Sequence, residues 1–172
     1  NRFASEVYFA DGPVMNKYFE KENRKYIEYK EIPQSVIDAL IATEDVRFYE
    51  HSGVDVRGLF RVLKGVLTAN TSAGGGSTIS QQLAKMLFPR EPDLNVFELA
   101  IRKFREWVIA VRLEKSYTKE EIITMYLNKY DFLNLAVGIS SAADIYFQIP
   151  LDSLKMEQAA MLIGMAKNSS YY

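Results

Sequence analysis

The chain contains no cysteine, which removes disulfides, thiol nucleophiles and thiolate metal sites. It has a single histidine, His51, so a multi-histidine zinc centre is impossible and a Ser-His-Asp site would have to use that residue. It lacks a charge excess: 21 Lys and Arg against 22 Asp and Glu give a net charge of −1, which is no electrostatic footprint for nucleic acid. It also lacks a bilayer-spanning run. The longest uncharged stretch, Val66 to Ala84, is rich in Gly, Ser, Thr, Asn and Gln, whereas a spanning helix needs about 20 mostly apolar residues. The 172 residues are 48% hydrophobic and 25% charged, enough for a globular core without covalent staples. Aromatics are plentiful, at 13% with eleven tyrosines. Scattered aromatics are more often core than sugar platforms. Because the chain opens at Asn1 and stops just past an apolar run, we expect an excised domain of a protein longer at both ends.

Hydrophobic periodicity predicts a mainly α fold with a small N-terminal β arm. We expect residues 1–30 to form that arm or a linker, and residues 31–172 to form the functional domain. Val7-Tyr8-Phe9 and Lys17-Tyr18-Phe19 flank the turn signal Asp11-Gly12, and Tyr26 to Tyr29 reads as a further short strand. Pro33 opens a first helix. Further helices are expected at Val56–Leu67, from about Thr78 to Phe88-Pro89, and at Val96–Lys115. Three more follow: one behind a capping box of Thr118 and Glu121, then Ala136–Phe147 and Met156–Ala166. The Val96–Lys115 helix has an apolar face of Phe97, Ala100, Phe104, Trp107, Val108 and Val111, and a second of Leu99, Ile109 and Leu113. A helix apolar on both sides is expected to be buried. About seven helices result, with no internal repeat and no sign of a parallel sheet.

Helical phase singles out two carboxylates. Residues 36, 40 and 44 share one face at 3.6 residues per turn, so Glu44 falls on the apolar stripe of Val36 and Leu40, while Asp45 points away from its centre. Lost hydration and a helix C-terminus are both expected to disfavour the charged form, moving the group toward the range useful for proton transfer. The alternative is a frayed helix end that lets Glu44 reach water. Glu106 lies one turn from Arg102 within an apolar face. That spacing permits an intrahelical ion pair, or a lining for an internal cavity. Two glutamates in different surroundings on a helical scaffold are suited to glycosyl chemistry.

Gly74-Gly75-Gly76-Ser77-Thr78 opens a helix and can offer backbone N–H groups to an anion, although no Lys-Ser/Thr follows to make a Walker loop. Its other reading is a flexible loop with an ordinary N-cap. The face that follows, Thr78, Gln81, Gln82 and Lys85, is amide-rich with one cation, which suits sugar hydroxyls and a phosphate. His51 reads as a hydrogen-bonding residue that fixes the loop after Glu44, with base or ligand roles as alternatives.

Taken together, five segments in order resemble the peptidoglycan glycosyltransferase domain of family 51, found in class A penicillin-binding proteins and monofunctional transglycosylases. They are Glu44-Asp45-Val46-Arg47-Phe48-Tyr49-Glu50-His51-Ser52-Gly53; Gly75-Gly76-Ser77-Thr78-Ile79-Ser80-Gln81-Gln82-Leu83-Ala84-Lys85; Arg102-Lys103-Phe104-Arg105-Glu106; Glu121-Ile122-Ile123-Thr124-Met125-Tyr126-Leu127-Asn128; and Gly138 through Ala142-Ala143 to Tyr146-Phe147. Ser80 stands where threonine is usual, and Asn128 to Phe132 lacks the usual aromatic-Gly ending.

The resemblance implies a lysozyme-like helical fold that polymerises lipid II into glycan strands, with inversion and undecaprenyl pyrophosphate as the leaving group. It makes Glu44 the general base and gives Glu106 a supporting catalytic role. Lys85 and Arg102 would stabilise the pyrophosphate, with Arg90 as an additional clamp. Asp45, Phe48, His51, Ser77, Thr78, Gln81, Gln82, Lys103 and Asn128 would complete the substrate-binding set. It implies no tightly bound cofactor, leaving room for Mg2+ or Mn2+ near Glu44 or Glu106. Implied partners are lipid II, the growing strand, the membrane surface and moenomycin-type inhibitors, at the extracytoplasmic face of the bacterial cytoplasmic membrane. The stretch Leu59 to Leu67 would face the membrane. Two other classes remain open at this point. One is a lysozyme-like hydrolase or lytic transglycosylase, and the other a non-catalytic module that binds lipid-linked sugar.

Overall fold

A proline that fixes φ and supplies the first free carbonyl begins the first helix: Pro33 O accepts from the N–H groups of Val36 and Ile37, and α1 runs Gln34–Glu44. A computed structural model describes residues 5–8, 10, 12, 14–18, 25–68, 76–88 and 96–167. Beyond α1, the described helices are α2 (Val56–Leu67), α3 (Ile79–Leu87), α4 (Val96–Ser116), α5 (Lys119–Lys129), α6 (Ile139–Phe147) and α7 (Met156–Lys167). The mainly α class and the helix positions follow the hydrophobic periodicity. Two compact units divide the chain, residues 1–40 with 127–172, and residues 41–126. Their boundaries fall inside α1 and α5.

In the first unit, β1 (Ser5–Tyr8) pairs antiparallel with β2 (Val14–Tyr18), Ser5 opposite Tyr18, with an irregularity between Val7 and Tyr8. Gly12 in the connection has φ 107°, a backbone state glycine adopts without strain. The third strand expected at Tyr26–Tyr29 does not form. Ile27 has both backbone groups engaged by one side chain: its N–H donates to Asn128 Oδ1 at 3.0 Å, and its carbonyl accepts from Asn128 Nδ2 at 2.8 Å. A reciprocal capping box of Glu28 and Glu31 then closes a short 3-10 turn, Tyr29–Glu31. The backbone polar groups that a strand would have paired are satisfied locally instead.

The core of this unit is built from small and branched residues on α6 and α7. Ile139, Ala142, Ala143, Ala159, Leu162 and Ile163 are all fully buried. Gly138, φ 89°, precedes α6; that φ is one side chains rarely adopt, and a Cβ there would press on Asn128 O at 3.1 Å. Tyr130 Oη donates to Ala166 O, and Tyr146 Oη donates to Phe132 O.

In the second unit, α3 packs against α4. Ile79, Leu83 and Ala84 of α3 are buried, as are Ala110 of α4 and Ile122, Ile123 and Tyr126 of α5. The expected burial of α4 on both sides does not hold. Phe104 is 62% exposed, and Leu99, Ile101 and Val108 are also open. Periodicity identifies apolar faces, but it does not say which of them finds a covering element.

Asn128→Ala would leave the buried N–H and carbonyl of Ile27 without their partners. Stranded buried backbone groups cost about 1–3 kcal/mol. We expect urea unfolding of the variant to show a loss of about 2 kcal/mol. Unchanged stability would contradict the clamp.

Candidate active site

Glu44 is the last residue of α1 and is half-buried. Its Oε2 accepts from Gln82 Nε2 at 2.6 Å, while its Oε1 is buried without a hydrogen-bond partner. A buried, unpaired carboxylate oxygen is costly and uncommon, and such atoms collect at reactive centres. Gln82 is in the second turn of α3, and its Oε1 accepts from Tyr126 Oη at 3.0 Å.

Asp45, one residue on, is buried and fully committed to structure. Its carboxylate accepts from His51 Nε2 at 3.0 Å and from Ile79 N at 3.1 Å. Ile79 is the first residue of α3, so the negative charge lies where the helix dipole favours it. Gly53 N donates to His51 Nδ1 at 3.2 Å, which assigns the ring proton to Nε2, facing Asp45. Gly53 has φ 95°, and a Cβ there would come within 2.7 Å of the Ala110 carbonyl carbon. Its own carbonyl accepts from Thr78 Oγ1 at 2.7 Å and from Gln81 Nε2 at 3.4 Å. Thr78 also caps α3 by accepting from Gln81 N.

Phe48 is fully buried, edge-on to Tyr49 and His51, with Lys119 Nζ 4.3 Å above its ring. Lys119 also donates to His51 O at 2.7 Å and pairs with Glu114, which accepts from Ser80 Oγ at 2.6 Å. Thus α3, α4, α5 and the loop after α1 meet at one ammonium. Sequence reasoning missed this Ser80–Glu114–Lys119 group. Its signal was faint, because Glu114 and Lys119 flank the break between two helices rather than sharing one face.

The second cluster is cationic. Glu106 is 7% exposed. Its Oε2 lies 3.2 Å from Lys103 Nζ and 3.8 Å from Lys85 Nζ, and Lys103 also donates to Ser77 Oγ at 3.0 Å. The intrahelical pair expected between Glu106 and Arg102 is replaced by the i−3 pair with Lys103. The two lysines converge on one carboxylate, and Lys103 reaches Ser77 just ahead of α3, a setting for an anion. Gln82 and Lys85 are three residues apart on α3, a separation of about 4.5 Å along the axis. One helix therefore carries the contact to Glu44 and the contact to Glu106.

Several expected substrate contacts are placed otherwise. The hydroxyl of Thr78 and the carboxylate of Asp45 are used internally, Phe48 and Gln81 are fully buried, and His51 serves Asp45 and Gly53. Asn128 holds Ile27 and belongs to the first unit. Gln82 turns both ends of its amide to protein partners. Arg102 is half-buried on α4. Arg90, Gly74 and Gly75 lie outside the described residues. Among the described residues no group of three or more His, Asp or Glu side chains could hold a metal. Glu106 faces two ammonium groups, which repel a divalent cation.

Arg47 and Asp55 fasten the loop to α2. Arg47 Nη2 pairs with Asp55 Oδ2, and Asp55 Oδ1 accepts from Gly58 N at 2.9 Å. Burial raises the Asp55 carboxyl, but the bonds from Arg47 and Gly58 outweigh it and hold the group below its ordinary value.

The sequence profile of the family described as Transglycosylase matches residues 11–172. Penicillin-binding protein 1A of Escherichia coli (strain K12) is 38% identical over 167 residues, covering 97% of this chain and 19% of that protein. The protein of the same name from Neisseria lactamica is 37% identical over 166 residues, covering 96% of this chain and 20% of its own. That of Clostridium novyi (strain NT) is 32% identical over 173 residues, covering 98% and 20%. The chain thus spans about a fifth of the length of the curated relatives it matches.

Two predictions follow from the loop. Asp45→Ala strands the buried Ile79 N–H and the His51 N–H, and should cost about 2–4 kcal/mol in chemical unfolding; a loss under about 0.5 kcal/mol, the size of a neutral surface change, would refute the clamp. The lowered Asp55 carboxyl contributes stability that is full at neutral pH and fades as pH falls through its folded value, below about 4. The stability gap between parent and Asp55→Asn should therefore be wide at pH 7 and narrow toward pH 3. A gap independent of pH would count against it.

Proposed function

The chain belongs to the transglycosylase family, and from that premise we propose that it polymerises lipid II into glycan strands. Glu44 is the general base. Its unpartnered Oε1 takes the proton from the 4-hydroxyl of the acceptor GlcNAc as that oxygen attacks the anomeric carbon of the donor. The bond to the pyrophosphate breaks, undecaprenyl pyrophosphate departs with the electron pair, and the configuration inverts. Lys85 and Lys103, with Arg102 on the same helix as Lys103, compensate the charge that builds on the leaving group. Glu106 holds the two lysines in place.

One observation carries this reading. A carboxylate with one oxygen held and the other buried and free is linked along α3 to a paired-lysine cluster. A base and an anion site held in register by one rigid element are what transfer from a diphosphate requires.

We place the reaction at a membrane surface, on the extracytoplasmic face. Among the described residues no helix is long and apolar enough to cross a membrane. However, α2 exposes Phe60, 68% open, beside Arg57, Arg61 and Lys64, and α4 exposes Phe104 and Val108. Apolar rings flanked by cations suit an anionic lipid interface. The same lysine cluster would bind moenomycin-type phosphoglycolipids.

Lipid II polymerisation in detergent, read as glycan ladders on a gel, tests the proposal. Glu44→Gln should reduce the rate by about 10²–10⁴-fold, the usual worth of a positioned base. Equal ladders from parent and variant would move the base elsewhere. Soluble fragments released from finished glycan would indicate a hydrolase instead.

A further inference from the structure

Tyr126 lies on α5 and is fully buried, so its ring is fixed by packing and its hydroxyl has little freedom. That hydroxyl donates to Gln82 Oε1 at 3.0 Å, and Gln82 Nε2 donates to Glu44 Oε2 at 2.6 Å. The three groups form a directed chain. A carboxylate can only accept, so the amide must turn its nitrogen toward Glu44. The oxygen at the other end then needs a donor, and the Tyr126 hydroxyl supplies it. Reversing the amide would set two acceptors against each other at Glu44, unless that group were protonated. With Glu44 as an acceptor, the order of donors defines the orientation of the amide.

It also makes the two carboxylate oxygens unequal. Oε2 is held by the amide, while Oε1 is buried and unpartnered. We propose that Tyr126 is a positioning residue which, acting through the Gln82 amide, fixes Glu44 so that Oε1 is the oxygen that takes the proton. Gln82 is thereby assigned to holding the base rather than to gripping the donor sugar. The inference rests on the reading of Glu44 as the general base. A buried phenol suits this role better than a surface side chain. Its hydroxyl is held by a ring that cannot swing away, and each bond in the chain polarises the next. A base misplaced by about 1 Å can lose on the order of 10²-fold in rate, so a small loss of alignment is measurable.

The test is steady-state polymerisation of lipid II by Tyr126→Phe, which deletes one oxygen and preserves the ring. We expect kcat to fall by about 10- to 100-fold with KM changed less than about twofold, because alignment is lost and substrate contacts are not. In a Gln82→Met background, which retains length but has no amide, Tyr126→Phe should have no further effect. An unchanged kcat overturns the proposal. So does an equal loss in both backgrounds, since that marks a purely structural tyrosine. The side-chain amide resonances of Gln82 in 15N-labelled protein supply a readout independent of turnover. They should shift in Tyr126→Phe and in Glu44→Gln, and unshifted signals would contradict the chain of hydrogen bonds. A parent that makes no polymer while these shifts occur would instead remove the reading of Glu44 as base, and the catalytic role of Tyr126 with it.

Discussion

The buried carboxylate of Asp45 is the constraint on which the candidate site depends. It accepts from the first N–H of α3 and from the ring of His51, tying the loop after α1 to the start of the next active element. An anion at a helix N-terminus is favoured by the dipole and satisfies a donor that the helix itself cannot. His51 in turn is oriented by the Gly53 amide, and the Gly53 carbonyl receives the hydroxyl that caps α3. Each group in this circuit has its hydrogen-bonding role dictated by the next. Because Glu44 precedes Asp45, the same circuit determines where the end of α1 meets Gln82.

This explains why a conspicuous motif yields few residues free to touch a ligand. Asp45, Phe48, His51 and Gly53 are spent on building the loop, and Thr78 on capping the helix. Lys119 bonds to His51 O and Glu114 from within the same loop–helix junction. Among the described residues, those left to meet a substrate on the proposed reading include Glu44, Ser77 and the cations about Glu106. A functional motif is thus mostly scaffold, with a small reactive remainder held on rigid elements.

The helices and the emergence of Glu44 on an apolar face were legible from periodicity and capping, because those signals are local. Thr118 and Glu121 did form the expected box before α5. What stayed hidden was set by partners distant in sequence. Ile27 is diverted from a strand by Asn128, 101 positions away. Glu106 chooses Lys103 over Arg102, and pairs as well with Lys85 on another helix. Tyr126 reads as one more apolar residue on α5 until Gln82 is seen opposite its hydroxyl. The open face of α4 carries the same residues that a buried face would, so composition alone could not tell them apart.

The two glutamates differ in the kind of partner that surrounds them, and this difference assigns their roles. Glu106 is faced by two ammonium groups. It is suited to ordering cations and poorly suited to being a base. Glu44 has a neutral amide on one oxygen and no partner on the other. That second oxygen is open to an approaching hydroxyl. The lysines are drawn together by Glu106 from two different helices. On the proposed reading a diphosphate enters beside them, while the end of α1 supplies the base. On the proposed reading, proton removal and charge compensation are separated onto two carboxylates, with α3 as the element that contacts both.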